Sequence, residues 1–164
     1  QALYGIVYQS LGLFFIIFMG SIVLGGLLGL RHSQDDHLNR AFLVSELLIL
    51  AMHPVLLVSA LFLQRLSGRI DLEFIASLFL TLTLISSFII GYQFPLAARI
   101  SAVRGQDQTA GSLYAADLLG GWLGGLLVSV ILYPLTGLTG TLAASGLLKV
   151  GSWLALLPVK RRKT

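Results

Sequence analysis

No cysteine occurs among the 164 residues. Disulfides, iron–sulfur clusters, thiolate zinc sites and covalent c-type haem attachment are thereby excluded within this chain. Charge is scarce as well. Lys, Arg, Asp and Glu together make up 11%, against about 25% in ordinary globular domains. Period-two alternation of apolar and polar residues is missing, so strands are not expected. No glycine cluster follows a strand pattern and opens a βαβ unit, which argues against a phosphate-binding loop or an S-adenosylmethionine fold. Ser21, Ser45 and Ser112 have no histidine at a suggestive spacing, so no nucleophile–base–orienter set emerges. His32 and His37 flank Asp35 and Asp36, but that spacing is loose and reads as a solvated loop. No metal site and no cofactor are expected.

What the sequence has in abundance is apolar surface. Apolar residues make up 56%, more than a soluble fold of this length can hide, so the bilayer is the expected solvent. Five runs are each long enough to cross about 30 Å of hydrocarbon: 3–30, 41–64, 72–94, 110–133 and 138–158. Between them lie "RHSQDDHLNR" (31–40), "RLSGRID" (65–71), "PLAARISAVRGQDQT" (95–109) and a tight "PLTG" (134–137). Pro95 is expected to stop the third helix. Residues 96–104 then read as a short amphipathic helix or surface loop with Arg99 and Arg104 toward water. The fold class is therefore an all-α membrane protein, a single bundle of about five transmembrane helices.

Orientation follows the positive charges. Arg31, Arg40, Arg99, Arg104 and the tail Lys160, Arg161, Arg162 and Lys163 fall on one side; only Arg65 and Arg69 fall on the other. The first side should be cytoplasmic, with the N-terminus outside and the C-terminus inside. The basic tail reads as a cytoplasmic flank, and no nucleic acid is expected as a partner. A start at Gln1, with an odd number of spans, fits a piece of a longer protein.

Small residues recur at one-turn spacing. Ser21, Gly25 and Gly29 form a ladder in the first run, and Gly120/Gly124 and Gly121/Gly125 form two in the fourth. Apolar attraction between helices is weak in lipid, and close backbone approach supplies contact instead. These ladders are expected to mark helix packing, and a flexible or substrate-lining helix is the other reading. "GSIVLGGLLG" (20–29) also echoes "DLLGGWLGG" (117–125), either an old duplication or convergence of glycine-rich helices.

Three ionisable groups lie deep in apolar runs. An acid at a membrane helix centre costs about 2.5–3.5 kcal/mol on insertion scales, so such groups usually face inward and find partners. Asp117 sits about 10 Å from the cytoplasmic end of its run at 1.5 Å per residue, Glu46 about as deep. The lysine stem of Lys149 can snorkel toward the same level. Asp117, Glu46 and Lys149 are expected to form a buried polar layer that fixes register, or else a cation or proton site. Tyr114, Asp117, Gly121 and Gly124 share a helix face. His53 lies inside the second run and precedes Pro54, which reads as a hydrogen-bonded kink rather than a haem ligand.

Two motifs point to a family. Gly91-x-x-Phe94-Pro95-Leu96 in "FIIGYQFPLAARI" (88–100) and Tyr114-Ala-Ala-Asp117-x-x-Gly120 in "AGSLYAADLLGGWLGGLLVSVILYPLTG" (110–137) resemble the membrane domain of bacterial spermidine-synthase-like proteins. "YGIVYQSLGLFFIIFMGSIVLGGLLG" (4–29) is similar to an earlier helix of that domain, so the resemblance covers most of the chain. It implies a multi-pass protein of the bacterial inner (cytoplasmic) membrane. In that family the helices are commonly joined to a soluble aminopropyltransferase-like domain, and no such domain is present in these residues.

The expected role is therefore a non-catalytic membrane module of a spermidine-synthase-like protein. Its partners would be the lipid bilayer and further transmembrane helices or a partner subunit. Two alternatives stand beside it. One is part of a secondary transporter for polyamines or other organic cations, since carboxylates hold polycations. The other is an accessory membrane subunit of a redox complex, with His53 near a haem or quinone.

Overall fold

The computed structural model describes residues 2–34, 37–65, 71–103 and 110–156, and all but a few of these are helical. Helix α1 spans Ala2–His32, α2 Leu38–Arg65, α3 Leu72–Val103 and α4 Ala110–Leu126. A π-helical segment, Leu127–Leu132, follows, and α5 spans Tyr133–Leu156. Long apolar runs without strand alternation leave the backbone one way to satisfy its polar groups away from water, within the helix itself. No strand occurs among the described residues.

Four helices are long and apolar enough to cross a membrane: Tyr8–His32, Leu38–Arg65, Glu73–Val103 and a 44-residue run, Gly111–Leu154. At 1.5 Å per residue that last run would measure about 66 Å if straight, roughly twice the hydrocarbon thickness. It breaks at Gly137, where φ is 66° and ψ is −172°. Only glycine reaches that region without strain. The "PLTG" segment is thus less of a loop than expected. Pro134, Leu135 and Thr136 are helical, and the break is confined to Gly137.

Pro95 does not end α3. The helix runs through it to Val103, so residues 96–103 are its last two turns and no separate surface helix; Arg104 lies outside the described residues. Proline removes one N–H donor and frees one carbonyl a turn earlier, that of Gly91. Membrane helices tolerate this where a neighbouring helix supports the freed group. The Gly91 carbonyl oxygen lies 3.7 Å from the point where a Cβ on Gly26 would stand, so α1 covers it closely.

The chain divides into two compact units. The first comprises Gln1–Ser45 and Gly68–Arg104, the second Glu46–Ser67 and Gly105–Thr164. Helix α2 thus contributes to both. In the first unit, α1 packs along α3. Leu82, Ile89 and Leu96 are buried at seven-residue spacing on α3, with Leu96 fully enclosed. Ser21 on α1 is buried too, as are Gly25 and Gly29. The hydroxyls in these helices turn back on their own backbone. Ser21 donates to the Ile17 carbonyl (2.6 Å), Ser45 to that of Phe42 (2.7 Å) and Ser87 to that of Thr83 (2.6 Å). Large apolar side chains such as Val23, Leu27 and Ile90 face outward, a surface that acyl chains would solvate.

Candidate functional site

The second unit holds the ionisable residues of interest. Lys149 Nζ lies 2.7 Å from Glu46 Oε2, with the two side chains 20% and 7% exposed. The contact is a charge pair that misses hydrogen-bond alignment at Oε2. Removing two charges from water is expensive, and mutual attraction repays it only when they are in contact. An unpaired Glu46 at this burial would be far costlier than the pair.

A second contact joins the same two helices. Gly146, one turn before Lys149, lies against His53: a Cβ on Gly146 would stand 3.5 Å from His53 Cβ and 3.7 Å from Cδ2. Glycine at 146 thus lets the imidazole approach α5.

His53 Nδ1 lies 2.9 Å from the Ile49 carbonyl oxygen. A carbonyl only accepts, so Nδ1 is the donor in this contact. Pro54 lies within α2, and the helix continues through it. Near the Gly137 break, Thr136 Oγ1 donates to the Leu132 carbonyl (2.7 Å) and Thr141 Oγ1 to that of Gly137 (2.7 Å).

Asp117 does not join the pair. It is exposed on α4, and no ion pair reaches it among the described residues. Of the three groups, Glu46 and Lys149 meet and Asp117 stands apart from them. The glycines on the same helix are equally open. A Cβ added at Gly120, Gly121, Gly124 or Gly125 would meet nothing within 4 Å.

The ladder in α1 is the opposite case. A Cβ on Gly25 would collide with the Phe88 carbonyl oxygen and the Tyr92 amide nitrogen, and one on Gly29 with the Tyr92 carbonyl oxygen. Gly91 on α3 is as tightly held, against Ile22. Sequence reasoning used Gly91 only as part of a motif. Its place four residues before Pro95, where the freed carbonyl sits, was the signal that it is a contact point. His32 also meets Tyr92, ring edge to ring at 5.7 Å, which closes the end of the α1–α3 seam.

Among the described residues no group of three His, Asp or Glu side chains is placed to hold a metal ion. Of the loop that suggested one superficially, Asp35 and Asp36 lie outside the described residues. No family model, no curated protein and no solved structure matches this chain.

Proposed function

We propose that the chain is a non-catalytic membrane module that assembles with a further transmembrane helix or subunit. In this reading it crosses a bacterial inner membrane five times, the fourth and fifth crossings meeting at Gly137, with its basic C-terminal end in the cytoplasm. The carrying observation is the contrast between two similar glycine ladders. Gly25 and Gly29 are pressed against the backbone of α3, whereas Gly120, Gly121, Gly124 and Gly125 have nothing against them. In lipid, a face stripped of side chains gains contact only when another helix fills it. The motifs around Pro95 and Asp117 extend the proposal: the chain would be the membrane portion of a spermidine-synthase-like protein.

The competing reading, transport of a polyamine or other organic cation, needs free carboxylates along an aqueous path. Glu46 is already neutralised by Lys149, which favours a register-fixing role for that pair. For a redox subunit, His53 would have to offer Nε2 alone, since Nδ1 is engaged by its own helix.

The absence of cysteine makes the test clean. Single-cysteine variants Gly121→Cys and Leu119→Cys, on opposite sides of α4, would carry a thiol-directed photocrosslinker in native membranes. Crosslinks to a membrane polypeptide from position 121 and none from 119 are expected. Uptake of radiolabelled spermidine by proteoliposomes of the purified chain would overturn the reading in favour of transport.

A further inference from the structure

We propose that the end of the first unit where α1 and α3 finish together binds anionic phospholipid, with Arg31 and Arg99 as the phosphate ligands. This rests on the membrane reading above and names the lipid class that the unit selects. Gly25 and Gly29, one turn apart on α1, press against the carbonyl oxygens of Phe88 and Tyr92, one turn apart on α3 and in the same order. The two helices therefore run parallel, and their C-terminal ends fall on one side of the unit. Carried forward, the same register places Arg31 and Arg99 within roughly 8 Å of each other along the axis. Both are exposed. Arg99 follows the enclosed Leu96 by three residues, so it stands on the side of α3 that meets α1, level with the place where α1 stops.

Charge and the neighbouring apolar surface select the occupant. No ion pair reaches Arg31 or Arg99 among the described residues. The described acids of this unit, Asp71 and Glu73, stand at the start of α3, the opposite end, and residues 74–106 contain no acid. A guanidinium fork matches the oxygens of a phosphate, and basic residues at a membrane flank attract anionic headgroups. A lipid suits the place better than a free phosphate ion. Leu24, Leu27 and Arg31 share one face of α1 at helical spacing, and both leucines are exposed. An acyl chain can lie along the leucines while its phosphate meets the arginine.

The test places the full chain in phosphatidylcholine vesicles with spin-labelled phosphatidylglycerol or spin-labelled phosphatidylcholine. The motionally restricted fraction of each label reads lipid held at the protein. Phosphatidylglycerol should be preferred roughly fivefold, the effect of about one favourable basic contact. Arg31→Gln combined with Arg99→Gln should remove most of that preference. Glutamine at Lys160, Arg161, Arg162 and Lys163 should leave the larger part of it. Loss with the tail variant and none with the Arg31/Arg99 variant would overturn the proposal. So would a preference that emerges only with Asp35→Asn and Asp36→Asn, since those acids would then be holding the arginines. Displacement of the lipid label by millimolar inorganic phosphate would show a free-anion site and overturn the lipid assignment. A chain that enters the vesicles and holds both labels equally overturns this proposal alone; a chain that does not enter them overturns the membrane reading as well.

Discussion

Lys149 meets Glu46 at 2.7 Å, and one turn earlier on the same helix Gly146 lies against His53. The charge pair and the glycine contact join the same two segments, α2 and α5.

Lys149→Met should destabilise the second unit by about 3–5 kcal/mol, because it leaves Glu46 buried without its counter-charge. Glu46→Gln combined with Lys149→Met should recover most of that loss. Unfolding in detergent, measured for both single variants and the double, closes the cycle. Strictly additive losses would mean that the two groups are not coupled.

Replacing Gly25 or Gly29 with alanine forces a methyl group into the backbone of α3. Overpacking of this kind costs about 1–3 kcal/mol. Gly20→Ala on the same helix meets open space and should be neutral. Thermal stability of the three variants in one detergent separates these outcomes, and equal behaviour would contradict the close packing of α1 on α3.

Gly146→Leu should separate α5 from α2, since the added side chain has only the His53 ring to occupy. The Lys149–Glu46 distance would lengthen with it. Loss of the stability coupling between Glu46→Gln and Lys149→Met in the Gly146→Leu background would report the change; undiminished coupling would show the contact to be incidental.

Gly137→Ala puts a Cβ on a residue with φ of 66° and ψ of −172°. Conformations of that kind cost about 1–3 kcal/mol for residues other than glycine. Gly140→Ala is not a clean control, because Thr136 crowds that position. Gly151→Ala is, since nothing lies near it. Stability measured for Gly137→Ala and Gly151→Ala should differ by that amount.

The helices were legible because apolar runs of this length admit little else. The Glu46–Lys149 pair was legible for a related reason: opposite charges at similar depth in hydrocarbon seek each other. Pro95 was misread. Proline ends helices in water because the broken turn can be solvated, but here the freed Gly91 carbonyl is covered by Gly26 and α3 continues. The two glycine ladders look alike as letters. Their different surroundings depend on which helix lies alongside, and spacing within one helix holds no record of its neighbour. Asp117 illustrates the same gap, since its depth implies a need for a partner but does not name one.

The inward-turned hydroxyls have a consequence for sequence drift. Ser21, Ser45 and Ser87 spend their donors on carbonyls of the same helix, so they add little adhesion to any neighbour. What each contributes between helices is smallness. Alanine preserves that bulk almost unchanged, so exchange between the two residue types at these sites should pass nearly unnoticed, while leucine or phenylalanine there would pry the rods apart.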